Sequence, residues 1–214
     1  MVRHGETAAN AEMRYLGIRD DPLSEHGVRQ ANQLAESFAA LPITGIFSSP
    51  LRRALDTARP IAQRCGLEVR QDPRLREGSF GDWEGLSRQE VRDRSDRDAA
   101  LLRAWEEDPR AAPPGGESLE TIHNRMFELV AQLQSELAGR SLALVTHVGP
   151  IKALLAAALG VPISAVRRLF LDPATISVID WGTVPLVRLF NSHGHLGWES
   201  ARWMQRIESS GHWH

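Results

Sequence analysis

The chain has 214 residues, 42% apolar and 24% charged, with a formal net charge of -2; that balance describes one soluble globular domain and excludes a collagenous, low-complexity or largely disordered chain. No apolar run reaches the roughly 18 to 20 residues of a membrane span, and the charge gives no basic footprint for nucleic acid or anionic lipid. Cys65 is the single cysteine, so no internal disulfide can form and a reducing, cytoplasmic setting is expected.

Met1-Val2 runs directly into Arg3-His4-Gly5-Glu6-Thr7, a stub of strand before a polar loop. So short a first strand suggests a start upstream of Met1. Asp21-Pro22-Leu23-Ser24 reads as a turn, with Ser24 capping a helix that carries Val28, Ala31, Leu34, Ala35, Phe38 and Leu41 on one face. Ile43 to Ser48 is a short apolar strand. Ser49-Pro50 then starts a helix that Gly66 ends, with Pro60 expected to kink or break it near Arg59. Leu67 to Arg70 reads as a further strand, and Ser87 with Glu90 forms a capping box before a charged helix. Pro109 to Gly116 is a loop. Ser118 caps a long helix with Leu119, Ile122, Met126, Leu129, Val130, Leu133 and Leu137 at steps of three and four, stopped by Gly139. Leu142 to Val145 is apolar throughout, as in a strand covered on both faces. Pro150 opens a helix to Leu159. Val166 to Leu171, Thr175 to Trp181 and Leu186 to Phe190 alternate like strands, and residues 191–214 turn polar and have no assigned place.

Strands alternating with helices predict an α/β fold, a three-layer α/β/α sandwich with a mainly parallel central sheet, as a single domain over 1–214. In such sheets chemistry gathers beyond the carboxyl ends of the strands. Two histidines have that address: His4 after the first strand and His147 after the buried one. Neutral imidazole is a nitrogen nucleophile that titrates near neutrality. Arg3 and Arg52 carry planar forks suited to phosphate oxygens. Gly5 permits close backbone approach to an anion, and a helix start follows His147. Glu77 is the one acid placed to protonate a leaving oxygen. Together these groups suit a dianionic phosphoryl group.

Six ordered segments resemble the histidine phosphatase superfamily, which includes the cofactor-dependent phosphoglycerate mutases. They are Arg3-His4-Gly5-Glu6-Thr7 with Asn10; Asp21-Pro22-Leu23-Ser24 with Gly27, Gln30 and Ala31; Ser48-Ser49-Pro50-Leu51-Arg52-Arg53-Ala54 with Thr57-Ala58; Glu77 with Phe80-Gly81 and Trp83-Glu84-Gly85; Gly115-Gly116-Glu117-Ser118; and Val145-Thr146-His147. The resemblance covers residue 1 to about 160. It implies that His4 becomes phosphorylated, that Arg3, Arg52 and His147 hold the phosphoryl oxygens with Asn10 assisting, and that Glu77 donates a proton and then activates water. No metal or cofactor is implied, because the pocket's own positive charge offsets the negative charge on the equatorial phosphoryl oxygens. Gly5, Thr7, Val148 and Trp83 are expected around the substrate, with Trp83 and Phe80 in pocket wall or core. Arg52 is aligned with the family arginine, and Arg53 and Arg59 are read as surface residues of their helix. Val148 stands where most of the superfamily has glycine.

Gly81-Asp82-Trp83-Glu84-Gly85, His147-Val148-Gly149-Pro150-Ile151-Lys152 and Leu171-Asp172-Pro173-Ala174 further resemble α-ribazole phosphatases and the acid phosphatase domains that actinobacterial proteins fuse behind a ribonuclease H domain. That implies hydrolysis of a small phosphorylated metabolite without nucleic acid or membrane partners, a homodimer being left open. The alternatives are a phosphoglycerate mutase, which needs more cationic groups, and a non-catalytic phosphate-binding or interaction module. His193-Gly194-His195 and His212-Trp213-His214 have spacings open to a metal, but with no carboxylate or cysteine framework they are read as an exposed polar tail.

Overall fold

The computed structural model describes residues 1–197 and Ala201. In chain order its regular elements are β1 (Val2–Arg3), α1 (Ala8–Ala11), α2 (Glu25–Phe38), β2 (Gly45–Ser48), α3 (Arg52–Cys65), β3 (Val69–Gln71), α4 (Arg88–Arg94), α5 (Asp96–Glu107), α6 (Leu119–Leu137), β4 (Leu142–Thr146), α7 (Val148–Leu159), β5 (Ile176–Asp180) and β6 (Leu186–Ser192). Three short 3-10 turns join them at Pro73–Leu75, Gly81–Trp83 and Ile163–Arg168.

The continuous apolar run of β4 has a simple cause: both its faces are covered. Ala143 and Val145 pack with Val2 and Ile46 against Leu34, Ala35, Phe38, Ala58 and Ile61 of α2 and α3. Leu144 faces the other way, against Ile122, Met126, Leu129 and Leu133 of α6 and Leu154 of α7. Each fully buried aliphatic side chain contributes about 1.5–3 kcal/mol relative to exposure, so the two helix layers hold the sheet from both sides as the predicted three-layer sandwich. The strand order is β3-β2-β4-β1-β5-β6. β1 to β4 run parallel, while β5 is antiparallel to β1 and β6 antiparallel to β5.

Local chemistry sets most boundaries. Ser24, Ser87, Ser95 and Ser118 each accept a backbone N–H at a helix start, and Gly66 and Gly160 take the left-handed conformation at helix ends. Four expectations need correction. Pro60 does not break α3, because buried residues on both sides of it (Thr57, Ala58, Ile61, Ala62) pin one helix face to the core, and the carbonyl it leaves unbonded belongs to half-exposed Asp56. Val166 to Leu171 is not a strand. Pro162 presets the backbone for a 3-10 turn whose three-residue repeat brings Ile163 and Val166 to one side, against Ile151 and Leu155 of α7. Val28 and Leu41 lie exposed, and the buried stripe of α2 uses Gly27 and Gln30 instead.

The fourth correction concerns the segment after residue 190. β6 runs on to Ser192, and His193 is buried with Nε2 2.8 Å from Asp172 Oδ2. His195 Nε2 lies 2.7 Å from the Ala174 carbonyl. These histidines fasten the 171–175 loop rather than form an exposed tail, because the sheet edge carries them back over it. The His212-Trp213-His214 reading lies outside the described residues.

A groove of about 560 Å³ whose lining includes neither His4 nor His147 lies between Phe38, Leu133, Leu142 and Trp181. Met1 borders it, with its α-amino group donating to the Ser177 carbonyl at 2.7 Å and pushed by burial to a pKa of about 5.

Candidate active site

Register alone brings the two histidines together. Arg3 of β1 pairs with Thr146 of β4 in a parallel ladder, so the residues that follow, His4 and His147, leave the sheet side by side. Their ring centroids are 4.9 Å apart and both side chains are buried. β2 lies on the other side of β4, with Ser48 opposite Val145, and the turn after it delivers α3 to the same edge.

His4 Nδ1 lies 2.7 Å from the Gly5 carbonyl, so Nδ1 carries the proton and Nε2 keeps its lone pair. Arg53 Nε donates toward that Nε2 at 3.3 Å. Burial first, then the charges of Arg53 and Arg3, hold His4 well below the ordinary imidazole pKa. The ring is therefore neutral at pH 7 and presents its unprotonated nitrogen to the cationic side of the pocket.

Arg53, not Arg52, is the helix arginine at this centre, which overturns the sequence expectation. Arg53 is fully buried, and its guanidinium also donates to the Arg19 carbonyl at 2.7 Å and the Gly17 carbonyl at 2.6 Å. The Arg52 side chain points to solvent and pairs with Asp56, at 3.4 Å. Successive helix residues are separated by about 100°, and only the face with Ala54, Thr57, Ala58 and Ile61 turns inward. Arg53 falls on that face and Arg52 does not. Amphipathic spacing thus distinguishes the two arginines, a signal the motif alignment passed over.

The loop around Gly17 is fixed by a residue the sequence reading placed only in a motif. The Glu84 carboxylate accepts N–H groups from Gly17, Ile18, Arg19 and Phe80 at 2.8–3.2 Å, and so aims two carbonyls at Arg53. Asp20 in turn caps α3, accepting the Arg52 N–H at 2.6 Å. Thr57 links α3 to the loop that follows His4, accepting from Gly5 N–H at 3.0 Å while donating to the Arg53 carbonyl. Gly5 is required there, since a Cβ would stand 2.6 Å from the Gly27 carbonyl oxygen.

Arg3 is buried and donates through Nη1 to the Leu171 carbonyl. The 171–175 loop that receives it also closes on His4, whose carbonyl accepts from Ala174 N–H at 3.0 Å. Ala174 holds φ of 55°, a left-handed conformation that costs about 1–2 kcal/mol for a non-glycine residue. The Asp172–His193 pair and the His195 contact hold that loop.

His147, fully buried, has no hydrogen-bond partner for either ring nitrogen among the described residues. A buried imidazole left unpaired is costly, and here it faces His4. Burial, then Arg53 and His4, hold its pKa well below the usual range.

Glu77 is buried, accepting from Gly78 N–H at 3.0 Å and from Gly149 N–H at 3.1 Å. Burial raises its pKa, against the opposing pull of those bonds and of Arg53 and Arg125. Gly149 is the sterically demanded glycine, since a Cβ would stand 2.5 Å from Glu77 Oε1. Val148 needs no special backbone as the first residue of α7.

The remaining sequence candidates divide. Asn10 and Thr7 cap α1 reciprocally, each side chain accepting the other's N–H at 3.2 Å; Thr7 is fully buried and shapes the loop. Trp83 is 0% exposed in an aromatic core with Val91, Leu102, Tyr15 and Phe80. It forms no wall of the cleft of about 290 Å³ that opens beside Glu77; Phe80, Trp105 and Val148 do. The 3-10 turn at Gly81–Trp83 swings the indole inward, toward Asp98.

The carboxyl ends of β1 and β4 thus carry a neutral imidazole among buried arginines, with the buried Glu77 carboxyl held at the start of α7, and fixed positive charge of that kind suits an anionic ligand. The chain belongs to the histidine phosphatase superfamily (branch 1), whose model matches residues 1–189. It is 37% identical over 199 residues to the bifunctional protein Rv2228c of Mycobacterium tuberculosis, covering 92% of this chain and 54% of that protein. It thus spans about half the length of the first curated relatives it matches. With the glucosyl-3-phosphoglycerate phosphatase of the same organism it shares 43% identity over 173 residues, 77% of this chain and 76% of that one. The solved structure of Bacillus stearothermophilus YhfR matches with a TM-score of 0.83 at 29% identity, covering 92% of this chain and 97% of that one.

Proposed function

We propose that this chain is a phosphomonoesterase that hydrolyses small phosphorylated metabolites through a phosphohistidine on His4. Sugar phosphates, phosphoglycerate-type acids and nucleoside monophosphates such as α-ribazole phosphate are the candidate substrate classes. The observation that carries the reading is the locked tautomer of His4, whose unprotonated Nε2 faces Arg53 in a pocket shared with His147.

In the first step the Nε2 lone pair attacks phosphorus, the P–O ester bond breaks, and the leaving oxygen takes the Glu77 proton. Arg3, Arg53 and an N–H of His147 hold the equatorial oxygens, placing fixed donors where charge accumulates. In the second step a water gives its proton to the Glu77 carboxylate and attacks phosphorus, and the P–N bond breaks to restore neutral His4. Splitting one displacement into two lowers each barrier. The reading needs no metal ion, since cationic side chains supply the charge.

The test is phosphate release from p-nitrophenyl phosphate by wild type and His4→Ala, with acid-sensitive phosphate sought on His4 by mass spectrometry after rapid quenching. A drop of at least about 10³-fold and a labelled His4 are expected for a lost nucleophile. Equal rates would eliminate the assignment. With 3-phosphoglycerate and a trace of bisphosphate, phosphate release should outpace isomerisation; the reverse would make the chain a mutase.

A further inference from the structure

The cleft beside Glu77 is lined by two cations that the proposed chemistry leaves without a task. Lys152, the only lysine of the chain, lies one helical turn beyond Val148 on α7, so the face that turns Val148 and Gly149 toward the cleft presents Lys152 as well. Its ammonium is half-buried and donates to the Arg167 carbonyl at 2.9 Å. Among the described residues no carboxylate pairs with it. Arg167 lies over the Trp105 ring, 5.0 Å from the centroid, with a weak 3.5 Å contact from Nη2 to the Asp108 carbonyl. Its Nε is buried without a hydrogen-bond partner among the described residues.

The acids of the same cleft are already engaged. Glu106 takes both arms of Arg88, at 2.6 and 2.9 Å, and Glu117 takes the Ser79 N–H at 3.0 Å and Arg125 at 3.5 Å. Both partner arginines lie outside the cleft lining. Two partly buried cations therefore face an open cleft beside Glu77, a cost recovered when an anion enters. Burial lowers the Lys152 pKa to about 8, with Glu77 pulling upward and Arg167 and Arg3 downward, which leaves the ammonium mostly charged at neutral pH.

We infer that Lys152 and Arg167 form a subsite for a carboxylate of the substrate, so that the chain selects phosphomonoesters of hydroxy acids over esters of neutral alcohols. The inference rests on the phosphatase reading and adds to it a substrate class. A singly charged group is favoured over a second phosphate because Glu77, Glu106 and Glu117 also border the space and repel a dianion more strongly. Val148 and the edge of Trp105 supply an apolar wall for a short carbon chain.

The experiment compares 3-phosphoglycerate with glycerol 3-phosphate, which has a hydroxymethyl group in place of the carboxylate, and with glycerol 1,3-bisphosphate, which carries a second phosphate and no carboxylate. In wild type kcat/KM should favour 3-phosphoglycerate over glycerol 3-phosphate by at least about 30-fold, the discrimination a charged pocket group commonly gives. Lys152→Met and Arg167→Met should each shrink that ratio about 10-fold, mainly through KM, while Lys152→Arg keeps most of it. Because the readout is a ratio within one protein preparation, a partly unfolded variant does not mimic the effect. A wild type that hydrolyses p-nitrophenyl phosphate but does not discriminate, or variants that leave the ratio intact, would overturn the subsite alone. Preference for the bisphosphate, lost in the same variants, would overturn the carboxylate assignment. A wild type inactive on every ester would remove the phosphatase reading and the subsite with it.

Discussion

Arg52→Ala and Arg53→Ala differ by one position and should differ by orders of magnitude in effect. Arg53 is fully buried and spends its guanidinium on His4 Nε2 and on two backbone carbonyls, at 3.3, 2.7 and 2.6 Å. Truncation removes a cation from beside the nucleophile; one preorganised donor at a developing charge is worth roughly 10²–10³ in kcat, about 2.7–4 kcal/mol. It also strands the carbonyls of Gly17 and Arg19, at about 1–3 kcal/mol each if water cannot reach them, so unfolding should move to lower denaturant. Arg53→Lys keeps a charge but loses the fork, and should recover only part of the rate. Arg52 has 62% of its side chain exposed and one 3.4 Å ion pair, the kind worth at most about 1 kcal/mol; Arg52→Ala should stay within about 2-fold of wild type. The assay is steady-state hydrolysis of p-nitrophenyl phosphate, with circular dichroism fixing a temperature at which every variant is folded. A large loss in Arg52→Ala beside near-normal Arg53→Ala would refute the assignment and restore the motif alignment.

Three further outcomes follow from the same geometry. His4 must be neutral to attack and is held below the usual imidazole range, while Glu77 must keep a proton and is held above the usual carboxyl range; rate should fall on the acid side as His4 protonates and on the alkaline side as Glu77 ionises, giving a mildly acidic to neutral maximum, and a rate still climbing above pH 9 would contradict the pairing. Glu77→Gln should cost about 10²-fold or more on an alkyl phosphate but clearly less on p-nitrophenyl phosphate, whose leaving group needs little protonation, with equal losses ruling out the acid role. Gly149→Ala places a methyl 2.5 Å from Glu77 Oε1 and 3.2 Å from Ile122 Cδ1, so kcat should drop at least about 10-fold through a displaced carboxyl; a variant with wild-type kcat would show that Glu77 can move without consequence.

The elements that were legible in the sequence are those whose signals are local. Serine caps, terminal glycines and the three-and-four spacing of α6 mark boundaries through bonds and contacts made within the element itself. The continuous apolar run of β4 announces two covering layers wherever it lies. The failures sit where a tertiary neighbour decides. Val166 to Leu171 has strand-like alternation, yet a strand needs a free edge to pair with, and here α7 offers an apolar face that a 3-10 turn satisfies. Pro60 is a helix breaker only when the lost bond and the ring clash outweigh packing, and α3 is pinned on both sides of it.

The site divides along the same line. That His4 and His147 belong together could be inferred because both follow strands of one sheet, and parallel register does the rest. Which arginine joins them depends on a rotation of about 100° within a helix, information present in the spacing of Ala54, Thr57, Ala58 and Ile61 but absent from a motif read as a string. Trp83 shows the converse. Its place in a functional motif suggested a wall, whereas the motif's contribution to the site is Glu84, whose carboxylate gathers four backbone N–H groups and so shapes the loop that holds Arg53. A conventional reading looks for side chains that reach the substrate; in this pocket the arginine at the nucleophile is held by carbonyls, and those carbonyls are held by a carboxylate two steps from the chemistry. The 171–175 loop repeats that logic on the other side of His4, with Asp172 and His193 fastening the backbone that receives Arg3. The positive charge beside His4 is thus fixed before any phosphate arrives, and a preorganised field of that kind is what an anionic transition state requires.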